Sequence, residues 1–204
     1  MPLQLTLTDL TALAKHDHDY LNQKGATFYT DEQYDLAVEY YRLAASLGNV
    51  DSLSNLGYCY LYGRSIPKNA SLALAYFNLA AEQDCIDALY KLGSIHETGW
   101  DDLPADIELA LYYYQKALDA IAAQHQDPTN FPSLFFALGK GYMPGGICLT
   151  DLPLALGYLH IAQQGFQREI EEGVTYHKAA LAKLKALLDS PCFMGVHDPF
   201  MDAD

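Results

Sequence analysis

The chain has 204 residues, 50% of them hydrophobic and 19% charged, enough apolar material for one domain or a short repeat array and too little charge for disorder. Acids outnumber bases 26 to 12, and the net charge of −14 repels nucleic-acid phosphate and anionic membranes. The expected partners are therefore proteins or peptides of neutral to basic character, with no nucleic acid and no membrane insertion.

Residues 8–15 are expected to form a short helix ahead of four repeats, at about 17–50, 51–86, 87–125 and 132–172. In the first, Phe28, Ala37, Tyr41 and Ala44 follow Gly25 by 3, 12, 16 and 19 residues. The others share Leu56-Gly57, Leu92-Gly93 and Leu138-Gly139, with Tyr60, His96 or Tyr142 three residues on and Gly63, Gly99 or Gly145 six residues on. A loop with Pro and Asn or Asp follows. Ala73, Ala110 or Ala155 then opens a second pattern, with Tyr76-Phe77, Tyr113-Tyr114 or Tyr158-Leu159 and then Ala80, Ala117 or Ala162.

Both patterns have helical period, so each unit reads as helix, loop, helix; the first loop is about four residues shorter than the rest. Leu53, Leu56, Gly57 and Tyr60 mark the core face of a first helix, and Gly63 and Gly99 suit left-handed caps. Stacking such pairs builds a continuous core, which predicts an all-α solenoid of about four repeats. The amphipathic stretch 174–190, with Lys178, Lys183 and Lys185, is expected to cap it, closing a single domain over 1–190. Residues 191–204 have little periodicity and are expected to be mobile, though Phe193, Met194, Phe200 and Met201 give them the means to dock.

The order Leu-Gly, Tyr, Gly, a loop with Pro and Asp or Asn, then Ala-Leu-x-Tyr-Tyr-x-x-Ala-Ala resembles the Sel-one-like repeat, a branch of the tetratricopeptide superfamily. The resemblance covers about residues 17–172; the first unit has ordinary tetratricopeptide spacing and the fourth is degenerate at Leu159. It implies a right-handed superhelix with the first helices on a concave face. It also implies a non-catalytic interaction module, an adaptor or regulatory scaffold. The alternatives are a hydrolase or small-ligand binder using the groove, or a bacterial effector that binds a host protein. Hydrolase activity has been discussed for a secreted branch of the family whose cysteines tie the two helices of each repeat. Here the comparable slots hold Ser52 and Ala81, and Ala88 and Leu118.

No catalytic residue, metal site or cofactor is expected. The chain contains no GxSxG, HExxH or P-loop, and the glycines of LGKGYMPGG are repeat positions. His16 and His18 are two apart on a helix and face apart; His96 fills the repeat's Tyr slot as a packed side chain. Asp101, Asp102 and Asp106 lack the spacing of a calcium loop. Cys59, Cys85, Cys148 and Cys192 form no CxxC pair. The N-terminal stretch lacks the features of a secretory signal and no run of 18 apolar residues occurs, so a cytoplasmic location with reduced thiols is expected.

Opposite the core face, at 100° per residue, lie Gln23 and Asp19 in the first repeat and Asp51, Asn55, Tyr58 and Tyr62 in the second. Asp87, Lys91 and Ser94, with Tyr90 adjacent, follow in the third, and Ser133 and Lys140 in the fourth. The candidate peptide- or protein-binding groove is Gln23, Asp51, Asn55, Tyr58, Tyr62, Tyr90, Lys91, Ser94 and Lys140. Amides bond a bound backbone, and Tyr supplies contact area at low entropic cost.

Overall fold

Asparagine or aspartate starts five of the ten described α-helices. The computed structural model describes residues 4–100 and 103–200, and these fall into two compact units, up to Ala120 and from Ile121 onward. The first unit holds α1 (Leu7–Ala14), α2 (His18–Thr30), α3 (Tyr34–Ser46), α4 (Val50–Tyr62), α5 (Ala70–Ala81), α6 (Ile86–Thr98) and α7 (Ile107–Ala123) as far as Ala120. The second holds α8 (Pro132–Gly141), α9 (Leu152–Glu171) and α10 (Lys178–Leu188). The fold is an all-α helical repeat, and the described residues form no strand, only an isolated bridge between Trp100 and Leu103.

One local device recurs in every repeat. The backbone N–H of the residue ahead of each second helix donates to the carbonyl of the aromatic slot in the first helix. The pairs are Gln33 to Phe28 (2.8 Å), Asn69 to Tyr60 (3.0 Å), Asp106 to His96 (2.7 Å) and Asp151 to Tyr142 (3.0 Å). In the last three, the same Asn or Asp side chain accepts from the N–H of Leu72, Leu109 or Leu154 and caps the new helix. One residue therefore closes the loop and starts the helix, which is why Asn or Asp recurs there. The first connection, 31–33, is shorter than 63–69, as its spacing predicts. Gly63 ends α4 in the left-handed conformation (φ 69°, ψ 40°), where a side chain would be strained.

Two contacts then zip each pair of helices. A Cβ on Gly25, Gly57, Gly93 or Gly139 would stand 2.5–2.7 Å from Tyr41, Phe77, Tyr114 or Leu159, so only glycine lets the backbones approach this closely. Three residues on, the slot ring meets the preceding aromatic of the second helix. Phe28 meets Tyr40 at 5.3 Å between centroids, Tyr60 meets Tyr76 at 5.5 Å, His96 meets Tyr113 at 5.6 Å, and Tyr142 meets Tyr158 at 5.9 Å. The echo in the sequence is this zipper written four times.

The core of α4 is wider than the wheel indicates. Leu56, Gly57, Cys59 and Leu61 are buried together with Ser52 and Ser54, whereas Leu53 and Tyr60 are only half-buried. α4 packs against α3 and α5, so it has no single core face.

The ends carry their own contacts. α1 matches the expected helix over 8–15 and covers Leu21, Tyr40 and Ala44 with Ala12 and Leu13. Its N-terminus is a capping box between Thr6 and Asp9. In the second unit α10 packs on α9. The described part of the tail, 191–200, also lies on α9, with Phe193 and Asp198 buried; Met201 lies outside the described residues.

Candidate functional site

The first helices α2, α4 and α6 form one layer of the first unit, joined side by side through polar side chains. Asn22 Oδ1 accepts from Ser52 Oγ (2.8 Å) and from Asn55 Nδ2 (3.0 Å). Asp19 accepts from Asn49 Nδ2 at 2.9 Å, and Asp51 accepts from the Cys85 thiol at 3.8 Å. Asp87 accepts Ser54 Oγ at 2.8 Å and the Tyr58 hydroxyl at 3.1 Å. Asp19 and Asp51 thus reach the residue that opens the next first helix, and Asp87 reaches back to α4 of the preceding repeat.

An aromatic and cationic patch sits beside this ladder. Tyr58 and Tyr62, one turn apart on α4, stack at 6.1 Å and 10°, and Tyr58 also meets Phe77 edge-on at 5.1 Å. The Lys91 ammonium lies over both tyrosine rings, at 5.6 and 5.7 Å. Tyr90 stacks on Tyr114 at 6.4 Å. Tyr62 is 55% exposed, Gln23 and Asp51 are exposed, and Ser94 is half-buried.

Crowding decides the protonation on this face. Asp87 keeps solvent contact, yet desolvation of its carboxylate by the surrounding side chains pushes it above its ordinary value. The hydroxyls of Ser54 and Tyr58 and the charge of Lys91 pull the other way without prevailing. Burial, and then the Asp87 charge, push the Tyr58 hydroxyl well above its ordinary value. Two protonated hydroxyls thus point into one carboxylate. That arrangement ties α4 to α6 and holds protons in place.

The structure brings Asn55, Tyr58, Tyr62 and Lys91 together in one layer with Asp51 and Asp87. Lys140 belongs to the second unit, where its ammonium lies 5.2 Å over the Phe136 ring. Asn55 and Tyr58 are not idle surface groups, as a wheel has them: each spends its polar group on an adjacent repeat, and Tyr58 also packs on Phe77. Asn22, Ser52 and Ser54 are the members sequence reasoning missed. Ser52 and Ser54, two buried polar residues in an otherwise apolar helix, were the available signal.

Among the chemical candidates, His96 is a packed side chain, 9% exposed and stacked on Tyr113, as its place in the Tyr slot predicts. His18 bonds Asp19 at 3.0 Å. Asp106 caps α7, and Asp101 and Asp102 lie outside the described residues. Among the described residues no disulfide joins the cysteines and no helix is long and apolar enough to cross a membrane.

A family model described as the Sel1 repeat matches residues 10–49, 50–85 and 86–120, more than half of the chain. A crystal structure of a Sel1 repeat protein from Oxalobacter formigenes is similar over 95% of this chain and 70% of that one, at 23% identity and a TM-score of 0.60. A protective antigen present in uropathogenic Escherichia coli strains, displaying an SLR fold, is similar over 81% of this chain and 42% of its own length, at 19% identity and a TM-score of 0.50. No curated protein matches the chain.

Proposed function

The chain belongs to the Sel1 repeat family, whose members generally mediate protein–protein interactions as non-catalytic scaffolds, and on that premise we propose that its first-helix layer binds a peptide or protein segment of neutral to basic character. The observation that carries this reading is the exposed Tyr62 ring paired with Tyr58 under Lys91, beside the acids Asp51 and Asp87. Rigid aromatics supply contact area, and Gln23 and Ser94 offer hydrogen bonds to a bound backbone. The net charge of −14 steers a basic partner toward the protein. Screening over about 8 Å at physiological ionic strength slows that encounter as salt rises. Asn55 and Tyr58 contribute mainly by holding α2, α4 and α6 in register.

The test is photo-crosslinking in the source cell with a benzophenone amino acid at Gln23, or at Leu79 on the exposed side of α5. A discrete adduct is expected from Gln23. The captured partner should bind Tyr62→Ala at least ten-fold more weakly, with association that slows in salt. A partner captured only from Leu79, or one indifferent to Tyr62→Ala, overturns the assignment of the face.

A further inference from the structure

In the second unit the C-terminal segment is seated on α9, the second helix of the fourth repeat. The chain turns after α10 through a short 3-10 segment at Pro191–Phe193 and lays residues up to 200 against α9. Two anchors hold its end. Asp198 is 7% exposed, and its carboxylate accepts a hydrogen bond from His160 Nδ1 of α9. The Phe200 ring lies 5.8 Å from Tyr158 and directly over Gly157. A Cβ at 157 would stand 2.2 Å from that ring and 3.0 Å from Asp198 Oδ1, so a glycine there is a condition of docking.

The repeat itself shows that this seat is particular. With Tyr158 aligned to Tyr40, Tyr76 and Tyr113, the Gly157 position holds Glu39, Ala75 and Tyr112, and the His160 position holds Arg42, Asn78 and Gln115. The fourth repeat alone joins a bare backbone to an imidazole.

The bound segment carries its own order. Asp198 Oδ1 accepts the Phe200 backbone N–H at 2.8 Å, an Asx-type turn, and Pro199 fixes φ between the two anchors. A segment organised in this way loses little entropy on docking. Phe200 remains 45% exposed and Met194 84%, so few contacts resist its lifting.

We propose that the face of α9 formed by Gly157, Tyr158 and His160 is a binding site for a short acidic–aromatic segment of the form Asp-x-Phe. The chain fills it with Asp198-Pro199-Phe200, and the same motif from another chain takes it when that segment lifts. His160 selects the carboxylate, and Gly157 with Tyr158 selects the aromatic ring. The site is independent of the first-helix face and stands or falls separately from it.

The probe is a fluorophore-labelled, C-terminally amidated peptide of residues 194–200, read by anisotropy against the full chain. Asp198→Ala with Phe200→Ala vacates the seat, and saturable binding to this double variant is expected. Binding should be at least ten-fold weaker to the wild type, whose seat is filled, and to the double variant that also carries Gly157→Leu or His160→Ala. A peptide with alanine for its Phe should not bind. Far-ultraviolet spectra establish that each variant folds, and His160→Ala serves if Gly157→Leu does not. In the wild-type background, His160→Ala should speed amide exchange at 196–200 by ten-fold or more. No binding to the vacated chain, equal binding to filled and vacated chains, or unchanged exchange overturns the proposal.

Discussion

Substituting Asp9 by alanine removes a carboxylate without solvent exposure on which three helices converge. Lys24 Nζ and the Tyr20 hydroxyl of α2 reach Oδ1 at 2.5 and 3.2 Å, and the Tyr40 hydroxyl of α3 reaches Oδ2 at 2.9 Å. Removing one partner of a buried ion pair costs about 3–5 kcal/mol. The Lys24 side chain is 22% exposed, so its orphaned ammonium regains some hydration; Tyr40, 2% exposed, regains almost none. The expected loss is near the low end, about 3 kcal/mol, from the roughly 5–15 kcal/mol that stabilises a typical domain. The pH dependence provides a second readout. Burial alone would raise the Asp9 carboxyl, but the bonds from Lys24, Thr6 and Tyr40 outweigh it and hold the carboxyl well below the usual range. A group depressed by folding stabilises above its unfolded value of about 3.9, and that increment is lost as pH falls through the folded value. Lys24→Met removes one of these bonds while those of Thr6 and Tyr40 remain, so the carboxyl moves up toward its ordinary value and the pH-dependent increment shrinks. Urea unfolding followed by circular dichroism between about pH 2 and 6 compares wild type, Asp9→Ala and Lys24→Met. A loss below about 1 kcal/mol for Asp9→Ala, or a wild-type pH slope in Lys24→Met, refutes the reasoning.

Gly93→Ala should cost about 1–3 kcal/mol, because its Cβ would meet the fully buried Tyr114 ring at 2.5 Å. Gly139→Ala should cost less, since Leu159 can turn its methyls aside; thermal melts that reverse this order refute the zipper. His96→Phe should raise stability by about 1 kcal/mol: it keeps the stack on Tyr113 and removes Nδ1, the described residues' one buried side-chain polar atom without a hydrogen bond. A lower unfolding midpoint would show that Nδ1 has a structural task. Burial raises the thiols of Cys59 and Cys85 to about 11 and about 12. A thiol reagent at pH 8, followed by peptide mapping, should therefore label the half-buried Cys192 well before either of them. Equal rates for Cys85 and Cys192 would contradict the packing at the start of α6.

What the sequence determined by itself was the repeat and its helix boundaries. The contacts that define a repeat are short in sequence and identical in kind: Gly57 with Phe77, Tyr60 with Tyr76, and the Asn69 N–H with the Tyr60 carbonyl. Each leaves one residue type at one spacing, and repetition makes the signal visible. Tertiary structure decided which polar groups are free. A helical wheel gives the direction of Asn55 and Tyr58, but not that Asn22 and Asp87 stand there to receive them, 33 residues before and 29 after. Asp9 is one acid in an expected short helix, and its burial depends on Lys24 and Tyr40 arriving from two other helices. The tail shows little periodicity because the contacts that seat it, with His160 and in the space left by Gly157, lie on another helix. Periodicity records what a residue does within its own helix pair; the neighbour across a repeat boundary is set only when the pairs stack.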